Sequence, residues 1–451
     1  MSFPKYDTYK DSGHQWGEAF IPTYWHVRRL KSMLSEPLRY GANESAEGED
    51  RNEPRFVRIT DINEDGGLRD ETFKSLPAEL AEPFLLREGD MLFARSGATV
   101  GKSFMYSKEW GTACFAGYLI RARLNLADCL PIWLSYFCQT NSYWAYISGS
   151  QIQSTIQNVS AEKYANLYLP LPDLTEQKAI TSFLNRETSK IDALVAEQRR
   201  LIELLNEKRQ AVISHAVTKG LDANVKMKPS GIEWLGDVPA HWEVTAIKRM
   251  CQVITDGAHI SPETENGEYC FVSTKDVSDD GIDFGKCLKT SASSYEYLVR
   301  AGCKPFVNDV LFSKDGTIGR TVVIEEDRDF VVASSLIIIR PIHDMLDPQY
   351  LHLLCQSTFV KHQVEQFVRG AGLPRISITN LCKVVGCFPP KNEQREIGRF
   401  LHYKVQEFRR LQAEAVRAIA LLQERRTALI SAAVTGKIDV RGFEPISSNK
   451  C

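Results

Sequence analysis

No Cys-x-x-Cys occurs in this chain, and no cysteine–histidine cluster stands at zinc-ligand spacing; the nearest cysteines are Cys382 and Cys387. Eleven scattered cysteines without a framework argue against a disulfide scaffold and a metal site. They predict buried, reduced thiols in a cytoplasmic protein. An excess of one charge is missing too. The formal net charge of -2 gives no whole-chain basic footprint for nucleic acid, although local basic faces stay open. Long apolar runs are absent: Leu336-Ile337-Ile338-Ile339 is far too short to cross a bilayer. The opening Met1-Ser2-Phe3-Pro4-Lys5-Tyr6-Asp7 lacks a signal-peptide pattern, so no membrane association is expected.

Catalytic signatures are scarce. Ser96-Gly97-Ala98-Thr99-Val100-Gly101-Lys102-Ser103 imitates a phosphate-binding loop, but Ser96 stands where that loop needs glycine. The corresponding Asp315-Gly316-Thr317-Ile318-Gly319-Arg320-Thr321 is shorter and lacks lysine, so a duplicated β-turn is the better account. Phe388-Pro389-Pro390 lacks the polar residue and the following aromatic of an amino-methyltransferase signature. No glycine-rich cofactor loop is present.

What the chain does have is a second copy of itself. Pro22-x-x-Trp25 returns as Pro239-x-x-Trp242, Glu176-Gln177 as Glu393-Gln394, and Val217-Thr218 as Val434-Thr435, each 217 positions later. Phe56-Val57 returns as Phe271-Val272, 215 positions later. Such a unit is far longer than a solenoid repeat of roughly 20 to 50 residues. Two domain-sized copies make an internal pseudo-dimer, suited to a target with two halves.

Each copy follows one order. A polar loop comes first, near residues 40–55 and 255–269, of the kind that lies at the surface and carries function. Strand motifs follow, Met91-Leu92-Phe93-Ala94 in one copy and Val310-Leu311-Phe312-Ser313 in the other. Each copy then ends in a long helical pattern, about residues 174–216 and 391–433, free of proline and interrupted by glycine only at Gly398. In the first, Leu184, Ile191, Leu205 and Val212 share one heptad position and Leu194 and Leu201 the second. In the other, Leu401, Phe408, Leu422 and Leu429 repeat the first position, joined by Leu411. That is a coiled-coil seam on helices of roughly 60 Å. The two helices pairing antiparallel within the chain would relate the copies by a pseudo-two-fold axis; packing on their own domains or on another protein is the alternative.

The expected fold is therefore α+β: two mixed α/β domains, 1–172 and 221–390, separated by long helices at 173–220 and 391–440, with a tail at 441–451.

Several residues are candidates for contact with DNA. Arg95, Ser96, Thr99 and Lys102, and Lys314, Thr317 and Arg320, surround the duplicated turn and suit phosphate contacts, against a purely structural turn. Lys275 follows the Phe-Val strand. Gln151, Gln153 and Gln157 in one copy, and Arg369 and Arg375 in the other, are side chains that read adenine and guanine edges, against an exposed polar loop. His259 and Ser261 sit in a second loop, where a DNA contact or a loop-stabilising bond is favoured over metal binding. Asp61 and Asp276 each precede a turn and are expected to bond backbone, not to catalyse.

These motifs in this order resemble the specificity subunit of type I restriction–modification systems. Asp256-Gly257-Ala258-His259-Ile260-Ser261-Pro262 looks like that family's Asp-Gly-x-His-x-Thr-Pro loop, with Ser261 in place of threonine. Asp309-Val310-Leu311-Phe312-Ser313 leading to Gly316-Thr317-Ile318-Gly319 is the second likeness. Asn158-Val159-Ser160 through Leu169-Pro170-Leu171-Pro172 to Glu176-Gln177 is the third. The resemblance implies two target recognition domains, each reading half of a split double-stranded DNA site. The helices would set the spacing and dock two methyltransferase subunits. Restriction subunits (ATP-dependent translocase and nuclease), where present, would join that core. The chain would be non-catalytic and bind no cofactor, S-adenosylmethionine sitting in the partner. Copy one departs from the pattern, with Arg39-Tyr40-Gly41-Ala42-Asn43 at the Asp-Gly-x-His loop. The alternatives are a stand-alone DNA methyltransferase or nuclease with diverged motifs, and a protein-interaction scaffold without a DNA role.

Overall fold

The computed structural model describes residues 3–13, 19–45, 47–63, 66–97, 99–151, 158–260, 262–263, 267–278, 281–368 and 374–443. Its contacts divide into two units, Met1–Glu197 with Arg417–Cys451, and Gln198–Val416.

In the first unit, Met91–Ala94 is apolar at every position and buried at every position. A strand buried on both faces reads as a continuous apolar run. Its alternate residues serve two cores: Met91 and Phe93 join Ile120, Ala122 and Trp133 on one side. Leu92 and Ala94 join Phe104 and Leu119 on the other. Here it is the third strand of a four-stranded antiparallel sheet, ordered Arg39–Tyr40, Leu119–Ala122, Met91–Ala94, Ser103–Met105. The second unit repeats that order with Cys251–Asp256, Leu336–Pro341, Val310–Ser313 and Thr321–Val323. Val310 and Phe312 face one core, Leu311 the other.

The residue before each buried aspartate of this motif has a left-handed backbone, Gly89 at φ 81° and Asn308 at φ 72°. Glycine adopts that conformation freely and asparagine tolerates it, which explains why the motif alternates Gly-Asp with Asn-Asp. The aspartates themselves are clamps. Asp90 takes both arms of Arg123 at 2.8 and 2.7 Å, and Asp309 those of Arg340 at 2.8 and 2.8 Å.

The long helices run Leu174–Lys219 and Lys391–Val434. Each unit holds the N-terminal half of one beside the C-terminal half of the other, an antiparallel pairing. In the first unit Arg426 donates to Asp192 at 2.9 Å; in the second Gln412 donates to Asn206 at 2.6 Å. Leu184, Ile191, Leu205, Leu401 and Phe408 are buried as the heptads require, while Val212 and Leu429 pack on the cores from partly buried positions. Leu411 and Leu422 are half-buried.

Leu194 is not in the seam. It is 46% exposed and Leu201 41%. The buried stripe instead alternates Leu184, Thr188, Ile191 and Val195, resuming through half-buried Ile202 to Leu205. Steps of four then three from Leu184 define the second position, so the leucines three residues after each first-position residue face away. Choosing the more apolar side chain misplaced it, because the true position carries Thr188.

The repeated motifs meet at the helix ends. Gly220 (φ 80°) and Gly436 (φ 75°) follow the helices, the left-handed stop expected there. A side chain on Gly436 would meet Pro22 at 2.4 Å, and one on Gly220 would meet Trp242 at 3.3 Å. The Pro-x-x-Trp element of each unit thus packs on the C-terminus of one long helix. The N-terminus of the other is held by a buried glutamine. Gln177 donates to the carbonyls of Asp128 and Pro172, both at 3.0 Å, and accepts from the Leu130 amide at 2.9 Å. Gln394 donates to Met345 and Pro389, both at 2.8 Å, and accepts from Asp347 at 2.8 Å.

Candidate nucleic-acid interface

The loops that carry the candidate residues grow from the ends of these shared strands. In the second unit, strand Cys251–Asp256 runs straight into Gly257. A side chain there would lie 2.1 Å from the Val332 carbonyl, so only glycine lets the loop approach its neighbour this closely. Ala258 then bridges Ala333 in parallel register. The first unit has the same frame: a side chain on Gly41 would meet the Phe115 carbonyl at 2.2 Å, and Ala42 bridges Ala116 in parallel. Copy one therefore keeps this backbone, and its departure from the Asp-Gly-x-His pattern is confined to the side chains on either side of Gly-Ala.

Those side chains differ in kind. In the second unit Asp256 meets both the Lys314 ammonium and His259 Nε2, the latter at 2.9 Å. Burial opposes ionisation of Asp256, but Lys314 and His259 together outweigh it and hold the carboxyl below its usual range. In the first unit Tyr40 stands in place of Asp256 and Arg95 in place of Lys314. The Arg95 guanidinium lies 4.9 Å from the centre of the Tyr40 ring, a cation–π pair. A second exchange lies beside it. Ser96 bridges Asn158 in one unit, and Asp315 bridges Arg375 in the other, with Arg375 Nη2 3.6 Å from Asp315.

The structure brings His259, Lys314 and Asp256 together, and ties Arg375 to the Asp315–Thr317 turn. Thr317, Lys275 and Lys102 are exposed. Ser96 and Thr99 are half-buried. One expectation needs correction. Lys314 is 4% exposed and paired with Asp256, so its charge is spent inside the loop and does not reach a phosphate. Arg320 donates to the Val277 carbonyl at 2.8 Å and braces the neighbouring hairpin. Gln153, Gln157, Ser261, Arg369 and the side chain of Gln151 lie outside the described residues. Asp61 and Asp276 do bond backbone, accepting from the amides of Arg58 at 2.7 Å and Ser273 at 2.8 Å.

The sequence reading passed over Tyr40, Asp256, Asp315 and Asn158 as site residues. The signal for the first two was present: aligning Gly41-Ala42 with Gly257-Ala258 puts Tyr40 opposite Asp256 and Asn43 opposite His259.

The candidate surface is polar and built on strand ends. Such a surface can hydrogen-bond an extended polar partner, with exposed Lys275 and Arg375 supplying positive charge and exposed His259 a further hydrogen-bonding group. No helix among the described residues is long and apolar enough to cross a membrane.

A family model described as "Type I restriction modification DNA specificity domain" matches twice, over residues 22–204 and 239–414. The EcoBI specificity subunit of a type I restriction enzyme from Escherichia coli is 22% identical over 66% of this chain and 64% of its own length. The MjaVIII specificity subunit from Methanocaldococcus jannaschii is 22% identical over 80% of this chain and 81% of its own. The putative MjaX specificity subunit from the same organism is 24% identical over 93% and 95%. Among solved structures, a chain from work on complex assembly and conformational transition of the type I R-M system aligns with a TM-score of 0.68. It is 17% identical and covers 93% of this chain and 99% of its own, a likeness of fold. Matched twice by one family model over most of its length, the chain belongs to the type I restriction–modification DNA specificity family.

Proposed function

We propose that each unit reads one half of a bipartite, asymmetric double-stranded DNA site. The long helices set the distance between the half-sites and dock two methyltransferase subunits. The observation that carries this reading is the pair of exchanges on one frame: Tyr40 with Arg95 against Asp256 with Lys314, and Ser96 with Asn158 against Asp315 with Arg375. Matching strand-end frames bearing different side chains at corresponding positions are what two unlike half-sites demand, since base identity is read by side-chain donors and acceptors. In this reading the chain carries no reaction of its own, and S-adenosylmethionine binds the methyltransferase. Restriction subunits join where the system has them, and the complex works in the cytoplasm.

Leu194, Leu201 and Leu204 support docking on the helices. They are 46, 41 and 44% exposed on the first long helix. Exposed apolar residues repeated along one helix suit a partner's surface.

The test is to map methylated bases in DNA treated with the chain and its methyltransferase partner. The reading expects two short read segments separated by an unread gap. Methylation without sequence preference, or turnover by the chain alone with S-adenosylmethionine, would overturn it.

A further inference from the structure

Beside the Tyr40–Arg95 pair of the first unit stands a second aromatic ring that the fold leaves unused. Tyr118 is 68% exposed, against 40% for Tyr40. It lies in the turn between strands Ala113–Phe115 and Leu119–Ala122. Among the described residues its ring stacks on no other ring and its hydroxyl makes no hydrogen bond. A lone exposed aromatic is ordinary on a protein surface, but this one stands on a pinned backbone. Its carbonyl accepts from the Arg95 amide at 3.0 Å. Its neighbours are tied on either side, the Gly117 amide to the Ala42 carbonyl at 2.7 Å and the Leu119 amide to the Ala116 carbonyl at 2.9 Å. The ring is thus offered at a strand end whose backbone is already ordered, and tyrosine has only two side-chain torsions left to fix on binding.

The repeat shows the same place without that ring. The Lys314 amide donates to the Ser335 carbonyl at 2.9 Å and the Leu336 amide to the Ala333 carbonyl at 3.0 Å, so Ser335 occupies the position of Tyr118. Ser335 is half-buried and engaged. Its hydroxyl accepts from the Thr274 amide at 3.1 Å, and Thr274 Oγ1 donates to its carbonyl at 3.0 Å. In the first unit Ile59 stands where Thr274 does and has no hydroxyl to tie this turn. One copy therefore closes the turn on itself, and the other leaves an aromatic face open beside Arg95.

Side chains that tell bases apart reach base edges in the grooves, and an apolar face there meets the thymine methyl, which only an A·T pair carries. We propose that Tyr118 is a specificity-determining residue of the first unit's half-site, its ring packed on a thymine methyl. This rests on the reading of the first unit as a DNA-recognition domain.

The test is to map methylated sites for the wild-type chain, Tyr118→Ser and Tyr118→Phe, each with the methyltransferase partner. Tyr118→Ser installs the second unit's residue at an exposed position, so its unfolding midpoint should match wild type. Its preference for one A·T pair in one half-site should fall at least about fourfold, the worth of one buried methyl. The other half-site should keep every base, and Tyr118→Phe should keep the wild-type preference. Unchanged preference in Tyr118→Ser, a fall at a G·C pair, or a uniform loss of methylation across all sequences would overturn the proposal. So would an equal fall in Tyr118→Phe, which would give the contact to the hydroxyl. Those outcomes leave two half-sites in the wild-type pattern. A wild-type chain without sequence preference would instead refute the underlying reading, and the proposal with it.

Discussion

Asp256 shows how one carboxylate shapes a loop at the residue scale. It neutralises buried Lys314 and leaves exposed His259 tethered at 2.9 Å. Removing it strands an ammonium that is 5% exposed along its side chain. Asp256→Asn should therefore destabilise the second unit by about 3 kcal/mol, within the usual cost of breaking a buried pair, visible as a lower unfolding midpoint at neutral pH. The carboxyl titrates below its unfolded value in the folded chain. Its contribution is thus full above the ordinary aspartate pKa of about 3.9 and is lost as pH falls through the lower folded value. Wild type and variant should converge once pH has fallen through that lower folded value; a gap unchanged by acidification would contradict the assignment. None of this pairing was legible in the sequence, because Asp256 and Lys314 lie 58 residues apart and nothing local requires them to meet. His259 was legible, since its loop motif is local.

Helices and strands were read more fully at the scale of elements. Strand Val310–Ser313, both long helices and their glycine stops follow from patterns that local sequence carries: an apolar run, a heptad period, a left-handed stop. The second seam position did not, because a polar threonine occupies it and exposed leucines lie nearby. Leu184→Ala should cost about 2–5 kcal/mol, as buried leucine truncations do. Leu194→Glu with Leu201→Glu should shift stability by less than about 1 kcal/mol, yet weaken assembly with the methyltransferase subunit, read by analytical ultracentrifugation. Undiminished assembly would remove those leucines from the docking surface. The repeated Glu-Gln was visible in the sequence but its reason was not. Gln394→Leu should cost about 3 kcal/mol or more by orphaning the Asp347 amide and the Met345 and Pro389 carbonyls. Gln177→Leu should match it in the first unit, with thermal unfolding as the measure.

Duplication organises the whole molecule. The 217-residue echo is strongest where each unit meets the long helices, at Trp25 and Trp242 and at Gln177 and Gln394. It is weakest at the strand-end loops. Under the proposed function the helices act as a spacer with a calculable step. One heptad inserted into both adds about 10 Å of helix, equivalent to about three base pairs of rise. The unread gap in the methylated site should widen while both half-sites keep their bases; an unchanged gap would refute the spacer. The most direct measurement is made on a chimera in which residues 40–160 are replaced by the corresponding segment of another family member. Methylated sites would be mapped for the parent and the chimera, each with the same methyltransferase. The account predicts that one half-site changes and the other keeps its sequence. A change in both half-sites, or in neither, would contradict it.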